Sequence, residues 1–386
     1  MNMPIPTISS NQTPLSIDRP VLKVVGLGGG GQNAVDRMIE LGLEGVDFIV
    51  ANTDAQVLKS SLASTKIQLG PQLTRGLGAG GNPSVGEAAA EESYKELNAA
   101  LDGADMVFLT AGMGGGTGTG SIPIAARVAR SIGAVVVAIV TMPFSFEMGR
   151  RQRNAREGLA KLQPFTDTLI TVPNDRLLQV APRDLPLEMA FRMADDVLRQ
   201  GIQGISELIT QPGLINVDFA NVRNMMLNGG GSLLAIGTGE GENKAMQALE
   251  NALHHPMLET IGLENATGII ANFTGGNNLS FVEVASALNE LQERTGNHAE
   301  IVPGVITDDR MEDRVQLILV ITGIGATGIE AAHRQTQTPI QKVREEEEES
   351  PINLDSVMLE NAQTQYALEG AFVNLDIPAF LRRRVH

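Results

Sequence analysis

The chain of 386 residues has no Cys and no Trp, and only 2 Tyr beside 11 Phe. Without Cys there can be no disulfides, no thiolate metal ligands and no Cys nucleophile. So few aromatics argue against a surface on which bases stack. Positive charge is short as well: 29 Lys+Arg face 45 Asp+Glu, a net of −16. Affinity for nucleic acid comes largely from cations neutralising phosphates, so no nucleic-acid partner is expected. Long apolar runs are missing. The most apolar stretch, Ala134–Val140 with a few neighbours, falls far short of the roughly 20 residues that a spanning helix needs. Residues 1–20 are rich in Pro, Ser, Thr and Asn, with no apolar core after a basic start, so no signal peptide is expected and the expected address is the cytoplasm. The five His are scattered, with only His254 and His255 adjacent. Neighbours on a helix point to different faces, so no zinc site is expected.

Glycine is abundant. The chain holds 42 Gly, about 11% of its residues where about 7% is usual. Three loops take up the surplus: Gly26 with Gly28–Gly31, then Gly70, Gly76, Gly78, Gly80 and Gly81, then Gly112, Gly114–Gly116, Gly118 and Gly120.

Periodicity places these loops. Strand-like runs at Val21–Val25, Val46–Ala51, Lys66–Leu69, Met106–Thr110, Ala134–Thr141 and Thr168–Val172 alternate with helical patterns at about Ala34–Leu41, Pro83–Leu101, Thr119–Ile132 and Phe146–Leu162. Such alternation predicts a parallel sheet with helices on both faces. Over 187–209, Ala190, Ala194, Val197, Leu198, Ile202, Ile205 and Ile209 form one apolar stripe, the mark of a long amphipathic helix. Beyond it, strands at Ser232–Gly237, Gly268–Phe273, Glu300–Ile306 and Gln316–Thr322 enclose helices at about Asn243–Leu253 and Ser280–Arg294, a smaller α+β unit. After Gly328 periodicity fades, and the run Glu345–Glu349 reads as part of a solvated linker.

Two of the glycine loops follow strands and open helices. Without Cβ the backbone can approach phosphate oxygens, and the free N–H groups and helix dipole stabilise negative charge. Gly26-Leu-Gly28-Gly-Gly-Gly31 fits the dinucleotide pattern G-x-G-x-x-G, with Asp54 where a ribose-binding acid would sit, so an NAD(P)-dependent oxidoreductase is one alternative. That fold does not call for Gly114-Gly-Gly-Thr-Gly-Thr-Gly120. No Walker A motif occurs, and no Lys lies in any of the three loops. Phosphates would be held by main-chain N–H groups, helix dipoles and hydroxyls.

Gly114–Gly120 is similar to the signature loop of the tubulin/FtsZ superfamily, and the chain resembles the FtsZ family of bacterial cell division. Val24–Gly31, Asn52-Thr-Asp54, Thr74–Gly80, Pro173-Asn-Asp175, Ala194–Leu198 and Pro212–Phe219 carry the resemblance through the body, and Asp376–Arg383 carries it at the C-terminus. It implies an α/β fold: a doubly wound parallel-sheet GTP-binding domain (21–186), a long central helix (187–211) and a smaller α+β C-terminal domain (212–328) with a catalytic loop at 212–221. A disordered arm (1–20), a disordered linker (329–371) and an adaptor-binding peptide (372–386) complete the expected order.

The resemblance also implies roles. Gly28, Gly29, Gly30, Gly31, Gln32 and Asn33 belong to the loop at the α/β-phosphates, and Gly114, Gly115, Gly116, Thr117 and Gly118 to that at the β/γ-phosphates. Glu147 and Arg151 would face the ribose and Asp195 the guanine N1 and N2 groups, with Asn52, Asp54 and Asn174 completing the GTP-binding set. Mg2+ is expected with the GTP, and a monovalent cation is a further candidate. Catalysis would fall to Asn216, Asp218 and Asn221, reaching the nucleotide of the next subunit, so the implied partner is the chain itself in a head-to-tail homopolymer. Asn221 stands where the family has an acid, and a carboxamide can orient water but cannot take a proton. Slower hydrolysis than is usual for the family is therefore expected, and a structural or regulatory filament that hydrolyses poorly is the second alternative. Asp376, Ile377, Pro378, Phe380, Leu381, Arg382 and Arg383 would bind a membrane adaptor and other division proteins, placing the chain at the division site beneath the inner membrane with only indirect membrane contact. Arg382–Arg384 reads as the one concentrated basic feature.

Overall fold

The computed structural model describes residues 19–324, apart from 148, 180, 183, 212, 216, 228, 256–257 and 259–262. Apart from Arg19 and Pro20, the expected arm, linker and C-terminal peptide lie outside the described residues.

The first half alternates as its periodicity predicts. In chain order come β1 (Leu22–Leu27), α1 (Gly28–Glu40), β2 (Asp47–Asn52), α2 (Ala55–Ser60), β3 (Thr65–Gln68), α3 (Pro71–Thr74), α4 (Pro83–Glu92) and α5 (Tyr94–Leu101). Then follow β4 (Met106–Gly112), α6 (Thr117–Ser131), β5 (Val135–Met142), α7 (Gly149–Leu162), β6 (Thr168–Pro173) and α8 (Asn174–Leu177). All eight residues of β5 are buried, as expected of a central parallel strand covered on both faces. One face packs α1 residues Ala34, Val35 and Met38 onto the sheet. On the other, α4–α6 contribute Ala89, Leu97, Ile122 and Val128. The helix expected over Pro83–Leu101 is broken at Ser93. Its hydroxyl accepts from Gly70 N (3.0 Å) and donates to Gln68 O (3.2 Å), tying that position to the turn after β3.

The long helix, α9 (Leu187–Thr210), has the expected stripe, with Ala190, Ala194, Leu198, Ile202 and Ile205 buried. After it come α10 (Phe219–Leu227), β7 (Gly230–Glu240), α11 (Lys244–Leu253), β8 (Gly268–Gly275), α12 (Phe281–Arg294), β9 (Glu300–Thr307) and β10 (Arg314–Thr322). The ten strands form one sheet, ordered β3-β2-β1-β4-β5-β6-β7-β10-β8-β9. The first six have the doubly wound order, in which ligands bind beyond the carboxyl ends of the strands. β7 is the seam: parallel to β6 over Gly230–Ser232 and antiparallel to β10 over Leu233–Glu240. α9 lies across it because Gly201 and Gly204 let the helix come close. A Cβ on Gly201 would stand 2.9 Å from Leu234 Cδ2, and one on Gly204 2.8 Å from Ile318 Cδ1.

Candidate functional site

β1 runs directly into α1 through Gly28, at φ 68°, and no side chain caps the helix start. The first N–H groups of α1 therefore have no capping side chain at the carboxyl end of the sheet. The loop after β4 opens α6 in the same way, again without a side-chain cap. The two loops interlock. A Cβ on Gly28 would lie 2.7 Å from Gly118 N, and one on Gly31 2.3 Å from Thr110 O. The third loop closes over them, since a Cβ on Gly116 would be 2.8 Å from Asn82 N. Gly29 and Gly115 instead face open space. The glycine surplus thus has two uses: some residues leave room for a ligand, and others let three backbones meet. Thr53 and Thr117 hydroxyls pair at 2.6 Å, and Thr119 Oγ1 accepts from Gly114 N at 2.8 Å.

Beside this frame lies a cavity of about 330 Å³. Gly29, Gly30 and Asn33 form the α1 wall, and Phe191, Ala194 and Asp195 form the α9 wall. Between them stand Glu147, Arg151 and Asn174. Glu147 Oε1 accepts from Phe144 N (2.8 Å), and its other oxygen pairs with the Arg151 guanidinium. Phe144 stacks on Phe146 at 5.0 Å and meets Phe191 edge-on at 5.4 Å. The Asn174 side-chain oxygen is buried without a hydrogen-bond partner among the described residues. Burial pushes the Asp195 carboxyl up to about 7, with the Asp196 charge adding to the shift. No group of three or more His, Asp or Glu among the described residues could hold a metal ion. A hard divalent cation here would be held mainly by a ligand's phosphates and water.

The expected catalytic residues lie elsewhere. Fifteen residues of α9 separate Asp195 from Thr210, about 22 Å at 1.5 Å per residue. Asp218 and Asn221 follow that far end, and both are exposed. The expected loop 212–221 is not all loop. Phe219 begins α10, and the Asp218 carbonyl accepts from Asn221 N (3.0 Å) and Val222 N (3.4 Å), so Asn221 sits in the first helical turn. Asn216 lies outside the described residues. Leu214, between α9 and α10, is 74% exposed, and Phe281 (74%) and Val282 (70%) at the start of α12 are exposed as well. Leu77, on the third glycine loop at the cavity end, is 84% exposed.

Of the expected GTP-binding residues, Gly29, Gly30, Asn33, Glu147, Arg151, Asn174 and Asp195 line one cavity. Gly28, Gly31 and Gly114–Gly118 with Thr117 build the frame beside it. Three others are engaged elsewhere. Gln32 is buried and donates from Nε2 to Val57 O (2.7 Å). Asn52 Oδ1 accepts from Asp54 N (3.2 Å). Asp54 caps α2, its Oδ1 accepting from Gln56 N (2.9 Å) and Val57 N (3.2 Å). Two features escaped the sequence reading. Phe191 is four residues before Asp195, one helical turn, and could have been found from that spacing. The expectation of one basic feature is also wrong: α7 exposes Arg150, Arg151, Arg153 and Arg156, which were legible as written. The expected basic end, Arg382–Arg384, and the adaptor residues Asp376–Arg383 lie outside the described residues.

Residues 21–182 match the model of the tubulin/FtsZ family GTPase domain, and residues 230–325 match that of the FtsZ family C-terminal domain. Among solved structures, an FtsZ dimer of M. jannaschii is 44% identical over 80% of this chain and 90% of that one, with a TM-score of 0.77. A GTPγS-bound protofilament of CetZ2 from Haloferax volcanii, 19% identical over 82% of this chain and 98% of that one, has a TM-score of 0.69 and bears on the fold alone. M. jannaschii is archaeal, so this match does not carry a bacterial origin.

Proposed function

The chain belongs to the tubulin/FtsZ family as an FtsZ-like GTPase, and on that premise we propose that it binds GTP and assembles head to tail into the filaments of a cell-division ring. The carrying observation is the separation between the cavity and Asp218. A site whose acid stands at the other end of α9 is completed by a second copy. Such a contact joins two different faces and propagates as a filament unless the rotation closes it. The exposed Leu77, Leu214, Phe281 and Val282 supply apolar surface for it.

In this reading Gly29–Gly31 and Asn33 hold the α/β-phosphates, and Gly114–Gly118 the β/γ-phosphates, by backbone N–H groups and helix dipoles. Phe191 gives the base a flat apolar wall, and the Asp195 carboxylate accepts from guanine N1–H and N2–H, which adenine does not present as a pair. Asn174 offers its partnerless oxygen to the nucleoside, and Glu147 and Arg151 face the ribose. Mg2+ fits as a companion of the phosphates and supplies charge neutralisation there. Asp218 of the next subunit would orient and deprotonate the attacking water. Turnover per subunit should then fall steeply on dilution. A specific activity independent of protein concentration would overturn head-to-tail completion.

Asn221 supports a second reading, a filament that hydrolyses poorly. An exposed carboxamide in the first turn of α10 can orient water but adds neither a base nor a negative charge. Asn221→Asp should raise turnover, within the ~10²-fold at the lower end of acid–base effects. Equal rates in a phosphate-release assay would remove this reading. Deleting 372–386 should abolish binding of a membrane adaptor and spare assembly and turnover, with pull-down and light scattering as the two measurements.

A further inference from the structure

We propose that Arg150, Arg153 and Arg156 form an electrostatic guide that speeds capture of the nucleotide triphosphate without touching it. The proposal rests on the GTP reading above. α7 runs along the phosphate loops. A Cβ on Gly114 would lie 2.8 Å from Arg151 O, and Asn154 Nδ2 donates to Gly114 O (3.2 Å) and Gly81 O (3.4 Å). Arg150 and Arg153 flank these two contacts in sequence. Arg156 lies one turn further, so the three span about 9 Å along the axis, within a Debye length of about 10 Å at 0.1 M salt.

All three are exposed, and none has an ion pair or side-chain hydrogen bond among the described residues. The other cations of α7 are engaged: Arg151 with Glu147, and Lys161 with Glu87 at 2.6 Å. In a chain of net charge −16, cations placed for stability would find carboxylates readily. Arg150 also sits in the first turn of α7, the end where the helix dipole disfavours a cation. Three exposed guanidinium groups on the helix that touches Gly81 and Gly114, in a protein that otherwise repels a strongly anionic ligand, fit capture at long range. Charges lining a cleft raise on-rates by about 10–10³-fold in a salt-dependent way.

The test uses the full chain, stripped of nucleotide and kept below its assembly concentration, with stopped-flow binding of a fluorescent GTP analogue. In the triple variant Arg150→Gln, Arg153→Gln, Arg156→Gln, the association rate constant should fall about 5- to 20-fold at ~0.1 M salt. The gap should close to less than about twofold at ~1 M salt, where the Debye length is about 3 Å. The dissociation rate constant should not change, and the triple Lys variant should bind at the wild-type rate. An unchanged association rate, a loss confined to dissociation, or a Lys variant as slow as the Gln variant would each overturn the guide. No saturable binding by the wild-type chain would instead overturn the GTP reading beneath it.

Discussion

Replacing Asp218 by Asn should lower GTP turnover by about 10²- to 10⁴-fold, the range that a positioned acid or base supplies, and leave nucleotide affinity within about twofold. The asymmetry follows from place. Asp218 is exposed beyond the far end of α9, about 22 Å of helix away from the carboxylate proposed to read the base. Removing it takes nothing from the cavity of its own subunit. A mixing experiment sharpens the result. Asp218→Asn keeps an intact cavity, and Asp195→Ala keeps an intact acid, so a mixed filament contains interfaces with both. Equal parts of the two inactive variants should recover up to about a quarter of wild-type activity if subunits alternate at random in a heterologous contact. No recovery, or a large loss of GTP affinity in Asp218→Asn, would show that the acid works within its own subunit.

Nucleotide affinity should fall about tenfold for each pH unit below about 7 and level off above it, the behaviour of one coupled proton. Without ligand, burial holds the Asp195 carboxyl at about 7, with Asp196 contributing. Guanine presents two donors to this group, and they favour the carboxylate. Binding at pH 6 must therefore expel a proton, whereas at pH 8 it need not. The surrounding charges are mixed: Asp36, Arg37 and Glu40 of α1 and Glu188 and Arg192 of α9 line the adjoining groove. Asp195→Asn should lose about 10²- to 10³-fold in affinity, since its amide N–H₂ would face the guanine donors, and should remove the proton linkage. The γ-phosphate titrates near pH 6 in both proteins, so the difference between their profiles isolates Asp195. Parallel profiles would remove this residue from base recognition. For the ligand-free protein the linkage predicts the reverse trend. A carboxyl raised in the folded state stabilises the fold below its unfolded value, and that contribution is lost as pH rises towards about 7.

Much of this site could be read from residue order. A glycine loop after an apolar strand and before a helical pattern has one physical meaning, and both such loops lie where they were expected. The stripe on α9 needed only its spacing. Other features depended on long-range partners. Ser93 breaks a helix because Gly70 N and Gln68 O are within its reach. Gln32, Asn52 and Asp54 do not line the cavity; a carbonyl and backbone N–H groups near α2 engage their side chains instead. Asn221 is helical because α10 starts at Phe219. The arginines of α7 needed no long-range partner, since Arg150–Arg156 carries its charge in the sequence itself.

By itself, then, the sequence determined the alternation of strand and helix, the absence of lysine from the three glycine loops, the long central helix and the net negative charge. These are local or summed properties, and period and composition encode them directly. The tertiary structure decided which glycines face open space and which face one another, that Phe191 and Asp195 line one cavity, and that Asp218 follows the end of α9 remote from Asp195. Those are distances between segments remote in the chain. Local propensity places each segment in its own element, but only the packing of α1, α7 and α9 around one sheet brings their side chains to one cavity or keeps them apart.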